Sequence, residues 1–388
     1  MNSKAWRSLR AAVVLAGIVA GSPVAATQKV DLGTLGGTNS FAVGINTNGH
    51  IVGSSDIRGD GARHAFLWTP SGGMIDLGTL GGTYSDARFI SDDDLVVGAS
   101  NLAGDESSHA FAWTRETGMV DLGTRGGTLS YPVAMNAQGQ VVGNSITATS
   151  TGIVPFTWTQ AGGMVALYTF PAPNYGGTVA AVNGNGQSVG AYSGPFSYYC
   201  NEHAALWSPQ GELVDLGTVG GQQAWANAIN DAGVVTVTDF DTVSTPIAFR
   251  AFTWTQSGGF VPLRSLGGNM TEGMAINDTG LVVGYSTSTA GFQRAAAWNP
   301  TGDIFDIGLG GSWSIASAVS GDGVVIGNSN VVGDATQHAF MWTSQVGTVD
   351  LGTLGGSGSW VYAVNSKNRI VGSASLPGDL ASHAVLWR

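Results

Sequence analysis

The heptapeptide DLGTLGG stands at residues 31–37 and returns unchanged at 76–82 and 350–356. Looser copies fill the intervals: DLGTRGG from Asp121, DLGTVGG from Asp215, PLRSLGG from Pro262, a shortened DIGLGG from Asp306 and a broken ALYTFPAPNYGG from Ala166. Successive starts lie 45, 45, 45, 49, 47, 44 and 44 residues apart. A period of that size marks one supersecondary unit repeated along the chain, each copy burying its apolar face only against its neighbours. What the chain can fold into is therefore decided by what one unit contains and how the units stack.

One unit reads as four short strands, a to d. In the first, SFAVGIN (40–46) and HIVGSS (50–55) flank a TNG joint, HAFLWT (64–69) follows, and PSGGM leads into MIDLG (74–78). The a–b joint recurs in every copy and ends on Gly in six of them, as a type I turn closed by a left-handed residue requires. The exceptions, Asp94 and Asn368, are the side-chain types that best tolerate positive φ. Runs such as AVGI, IVG and HAFLW carry no helical period and suit strands covered on both faces. Strand c ends in Trp in all copies (Trp68, Trp113, Trp158, Trp207, Trp254, Trp298, Trp342, Trp387), which predicts indoles packed between units.

Four strands per period of about 45 residues predict an all-β fold, an eight-bladed β-propeller of four-stranded blades. KVDLG (29–33) reads as a strand d and HAVLWR (383–388) as a strand c, so pairing the N-terminal strand with the C-terminal blade closes a ring, whereas an open stack leaves incomplete units exposed. TLGG then carries the chain from outer strand d to inner strand a of the next unit, where glycine permits close backbone approach. The b–c loops (DIRGDGAR, NLAGDESS, YSGPFSYYCNE, TDFDTVSTPIAF) vary on one rim, the usual place for binding on a rigid scaffold.

Residues 1–26 read as a signal peptide, with Lys4, Arg7 and Arg10 ahead of an apolar run and a cleavage site after Ala26. Ala11 to Ala20 falls short of the roughly 18 to 20 apolar residues of a spanning helix, so no membrane insertion is expected after cleavage. The remaining 27–388 form a single domain with 12 Lys and Arg against 26 Asp and Glu, a formal charge of −14. That charge repels phosphate backbones and argues against nucleic acid as a partner. A lone Cys200 allows no internal disulfide, so stability must come from packing. We expect a secreted or periplasmic monomer with no cofactor.

Four copies place Asp four residues before the His that opens strand c: Asp60/His64, Asp105/His109, Asp334/His338 and Asp379/His383. Carboxylate and imidazole suit a metal. Each pair repeats within its own unit, however, so the expected role is structural, with Asp capping its Gly-Asp turn and orienting His, and no metal site is expected. The RGD at 58–60 belongs to the same turn, and the NDAG and NDTG turns lack the ligand set of a calcium loop. The fifth residue after each GG is different, since it varies within a fixed frame: Phe41, Asp86, Tyr131, Ala181, Trp225, Glu272, Ile315 and Trp360. Aromatics and two acids beside a central opening suit a sugar or peptide. The fourth b–c loop adds Tyr192, Phe196, Tyr198 and Tyr199. No GxSxG, HExxH, P-loop or CxxC is present. The expected function is binding of an extracellular glycan or protein. A carbohydrate-active hydrolase or lyase using Asp86 and Glu272 and a structural matrix or surface protein are the alternatives.

HAFLW (64–68), HAFAW (109–113) and HAFMW (338–342), taken with DLGTLGG, resemble the HAF family of extracellular repeat proteins over essentially all of 27–388. The resemblance implies bacterial export and repetition and carries no established activity. Val154, Arg250 and Arg294 depart from it where the histidine would stand.

Overall fold

The computed structural model describes residues 28–148, 152–167, 176–193, 202–243 and 245–388. The expected signal peptide, Cys200, and the loop residues Phe196, Tyr198 and Tyr199 lie outside them. The described residues form 32 strands and no helix.

The first repeat contains strands a (Gly36–Ile45), b (Ile51–Ile57), c (Arg63–Thr69) and d (Gly73–Asp76), joined as an antiparallel meander with Ile45 opposite Ile51, Ile51 opposite Trp68 and Trp68 opposite Met74. The a–b turn forms as its sequence demands: Gly49 donates its N–H to the Asn46 carbonyl (3.1 Å) at φ +82°. Asp94 and Asn368 occupy the same position at φ +65° and +57°. Strand b is buried from Ile51 to Asp56, as expected of a strand with neighbours on both faces. Its glycine is obligatory, because a Cβ on Gly53 would fall on the Phe41 carbonyl oxygen. Gly98, Gly143, Gly190, Gly284, Gly327 and Gly372 meet the facing a-strand carbonyl in the same way.

Every strand a also carries a β-bulge. Ala42 pairs with Gly53 and Gly44 with Val52, which leaves Val43 without a partner. The same slip sets apart Arg88, Val133, Ala180, Asn227, Met274, Ser317 and Tyr362. A bulge adds one residue to one strand and re-aims its side chain.

Apolar clusters sit between consecutive units. Val52, Ala65 and Leu67 of the first repeat pack with Ala87, Val96 and Phe111 of the second, with Trp113 against them. Trp158 and Trp342 are buried in the corresponding clusters further along. The indoles thus pack between units, as their position in strand c predicts. Single parallel bridges from strand c to the next strand a, such as Arg63 with Tyr84, merge neighbouring units into two 12-stranded sheets beside two four-stranded ones.

The two ends of the described chain meet. Strand Lys29–Asp31 pairs antiparallel with Ser382–Trp387 and completes a four-stranded sheet with Ser359–Val364 and Ile370–Ser375. Leu32, Ala42, Ile51 and Phe66 then share a cluster with Val371, Ala384 and Leu386. Consecutive a strands approach one another within 8 Å, and the last, Ser359–Val364, approaches the first. The d strands make no comparable approach, so strand a is the inner strand of each unit.

A second tie between units lies at the a–b turns. Six of the eight turns open on Asn, which is buried, accepts from its own turn, and donates to a carbonyl of the next unit, while Ser91 and Ser320 open the other two. Asn46 donates to Ser91 (2.9 Å), Asn136 to Asn183, Asn183 to Asn230, and Asn230 to Asn277 (3.0 Å each). Asn277 continues to Ser320 (3.0 Å), and Asn365 donates to the Asn46 carbonyl (2.8 Å).

Candidate functional site

The heptapeptide is a structural crossover. The Asp31 carboxylate accepts the Gly33 N–H (2.8 Å), and the Thr34 hydroxyl accepts the Gly36 N–H (3.1 Å) while donating to the Gly37 carbonyl (2.9 Å). Neither glycine of the closing pair could carry a side chain, since Gly36 has φ +101° and a Cβ on Gly37 would strike the Ile57 carbonyl. Leu32 is buried, and the Ser40 hydroxyl receives the Ala384 N–H (2.8 Å). Leu35 packs against the same cluster as Leu32, so each letter of the phrase is used in making the d-to-a connection.

The Asp–His pairs need correction. His64 Nδ1 lies 2.9 Å from Asp76, the aspartate of the next DLG, and not against Asp60. His109–Asp121, His203–Asp215, His338–Asp350 and His383–Asp31 repeat this at 2.8 to 3.0 Å. Arg294 takes the same partner role with Asp306 (2.9 Å) where histidine is replaced. The cause is register: with Phe66 opposite Asp76, the start of strand c is brought to the end of strand d. Asp60 is a cap, as expected, but its carboxylate receives the Thr38 N–H (2.7 Å). Asp105, Asp334 and Asp379 cap Thr83, Ser312 and Ser357 at 2.7 to 2.8 Å. Thr83 and Ser312 hold the Asp105 and Asp334 carboxyls below the usual range by hydrogen bonding. Among the described residues no three His, Cys, Asp or Glu side chains converge as a metal site.

The varied position after GG lies on the inner strand. Along strand a burial alternates, with Ser40, Ala42 and Gly44 buried and Phe41 and Val43 half-buried. Phe41, Asp86, Tyr131, Trp225, Glu272, Ile315 and Trp360 all occupy one register position, opposite the residue that follows the b-strand glycine or its equivalent. In the fourth unit that position belongs to Thr178, opposite Ala191, and not to Ala181, which pairs with Val189. The broken GG phrase there shifts the count. Two residues further along lie the bulged side chains, and both tiers change from unit to unit. The inner strands thus carry variable side chains on a repeating backbone, a face called the funnel. The bulge tier was not foreseen, although its variation within a fixed frame was the available signal.

Within this funnel Asp86 is 15 % exposed, pairs with Arg88 Nε at 3.2 Å, and accepts a hydrogen bond from Ser54. Burial nevertheless pushes its carboxyl above the ordinary range against the pull of Arg88. Glu272 is likewise raised by burial and bonded by the Tyr285 hydroxyl across the strand pair. The Tyr84 and Tyr362 phenols are held up by burial, and then by the nearby Asp86 charge. The Arg63 guanidinium lies 4.9 Å from the Phe41 ring centre. Two indoles are tethered alike: Trp225 Nε1 donates to Glu202 (2.5 Å) and Trp360 Nε1 to Gln337 (2.8 Å). Trp225 also packs 4.6 Å from Phe240.

Tyr192 is not on an exposed loop. It is 3 % exposed, sits on strand Ser188–Ser193 opposite His203, and packs in the core between the third and fourth units. Strand b runs longer here than the loop reading allowed.

No protein-family profile matches the sequence, and no curated protein does. Solved structures do. The chain is similar to the Dos1 propeller (8 % identity, 93 % of this chain, 94 % of that one, TM-score 0.55). It is also similar to the β-propeller domain of the Trilobed protease from Pyrococcus furiosus (11 %, 81 % and 95 %, 0.54) and to an oligogalacturonate lyase in complex with manganese (10 %, 93 % and 93 %, 0.50). Other matched chains are longer, and this chain spans 50 % and 56 % of two of them. At these identities the likeness concerns the fold. The protein is a β-propeller scaffold.

Proposed function

We propose that the protein is an exported, monomeric, eight-bladed propeller, sealed by its first strand on its last, that binds an extracellular glycan or protein at the funnel of inner strands. Closure is supported by the Lys29–Asp31 ladder on Ser382–Trp387, the His383–Asp31 contact and the Asn365 bond to Asn46. Export is supported by the reading of residues 1–26 and the resemblance to HAF repeats. The observation that carries the binding function is the funnel itself, whose side chains vary widely among units while the backbone beneath them repeats. Packing alone would favour one residue type at equivalent sites, as it does for Trp in strand c.

The test is an array of glycans and extracellular proteins probed with residues 29–388. Saturable binding that Trp225→Ala or Trp360→Ala weakens is the expected result. An array with no saturable ligand refutes the proposal and favours a matrix role. A hydrolase or lyase is the second reading, favoured by two funnel carboxyls, Asp86 and Glu272, both raised by burial toward the range of a proton donor. Turnover of a glycan that Asp86→Asn or Glu272→Gln abolishes while binding persists would establish it. Absence of turnover by the unaltered chain across a glycan panel rejects it.

A further inference from the structure

We infer that the funnel sector where the last, first and second units meet is a subsite for one pyranose ring of a neutral glycan, with Trp360 as its stacking surface and the Asp86–Arg88 pair as its hydroxyl partner. The inference rests on reading the funnel as the ligand site.

Trp360 is held in one orientation. Its indole nitrogen donates to Gln337, and its benzo edge lies over Gly358, where a Cβ would come within 3.0 Å of the ring. An aromatic fixed in this way loses little side-chain freedom when a ligand lands on it. Tyr362, on the same face of the strand two residues on, is 43 % exposed, and the first unit's strand a lies against the inner strands of both the eighth and the second units, so the eighth unit's aromatics and the second unit's ion pair flank one short sector. Phe41 of the first unit lies between them in the order of inner strands.

The chemistry of this space is amphipathic and without net charge. Asp86 and Arg88 neutralise each other at 3.2 Å, and a charged ligand would have to compete with that pair. A hydroxyl competes with neither, because it can donate to the carboxylate and accept from the guanidinium. The electron-rich face of an indole attracts the slightly positive C–H face of a sugar ring. A pyranose carries both elements, an apolar C–H face and a rim of hydroxyls. A peptide strand would be read instead through an unpaired sheet edge and alternating side-chain pockets.

The experiment is calorimetric titration of residues 29–388 with neutral tetrasaccharides of glucose, mannose, galactose, xylose and N-acetylglucosamine, with an oligogalacturonate as charged comparator. One neutral series is expected to bind. Trp360→Ala and Asp86→Asn should each weaken it about tenfold or more, and Trp360→Phe, which keeps a ring, should recover part of the loss. Thermal melts of each variant establish that it is folded. Neutral binding untouched by both substitutions but lost in Trp225→Ala overturns the sector and leaves the funnel reading standing. Binding of the oligogalacturonate alone, or of a protein with no neutral glycan, overturns the sugar assignment and likewise spares the funnel. Silence toward every glycan and protein removes both.

Discussion

Leu32 and Leu77 offer a matched test of whether the chain closes on itself. Both are the leucine of a DLG phrase, both are 7 % exposed, and both donate their N–H to the alanine carbonyl of the HA pair in strand c at 2.9 Å. Leu77 reaches Ala65, only 12 residues away, and lies between the first and second units among Val52, Leu67 and Phe111. Leu32 reaches Ala384 at the other end of the chain and lies among Ile51, Phe66, Val371 and Leu386. Truncating a buried leucine to alanine costs about 2 to 5 kcal/mol, the loss of transfer free energy plus the cavity left behind. Because the two surroundings match, Leu32→Ala and Leu77→Ala should cost the same within about 1 kcal/mol, each a large part of a domain stability of about 5 to 15 kcal/mol. Urea denaturation followed by tryptophan fluorescence, checked by a second probe for coincident transitions, gives both values. If Leu77→Ala shows the full loss while Leu32→Ala changes stability by less than about 0.5 kcal/mol, the ends do not pack in solution and the closed ring is wrong.

Asn230 is 4 % exposed, donates to the Asn277 carbonyl and accepts the Val234 N–H (2.9 Å), so Asn230→Ala removes both bonds, leaves the Val234 N–H without its acceptor and should cost about 1 to 3 kcal/mol. An equilibrium melt showing no more than the loss expected at an exposed turn would mean that this tie is dispensable. For Glu272, burial raises the folded-state pKa above the unfolded value, so the native state holds more protons and stability falls as pH rises through the window between the two. Glu272→Gln should therefore stabilise the protein at pH 7 and lose that advantage below about pH 4, measured as the difference in urea midpoint. A constant difference across that range would contradict the assignment.

Much of this was legible in the residues themselves. Positive φ at Asp94 and Asn368, indoles between units and glycines at the crossover all follow from local chemistry repeated at a fixed period. Two of the differences have one cause. His64 is four residues from Asp60 and 12 from Asp76, yet register joins it to the farther one. Thr178 displaced Ala181 because pairing with strand b, and not distance from GG, sets the position. Tyr192 was misjudged because hydropathy does not report where a strand stops.

The sequence by itself determined the unit, its four strands and the phrase that links one copy to the next, since each depends on turn geometry and side chains within a few residues. Only the tertiary structure decided the bulge that turns Arg88 and Tyr362 out of the ladder and the Asn ties between units 43 to 47 residues apart in sequence. It also set the first unit's strand a between those of the second and the eighth units, which lie toward opposite ends of the chain. Those features depend on register and on how units stack, and both come from the summed fit of whole surfaces, which no short stretch of residues encodes.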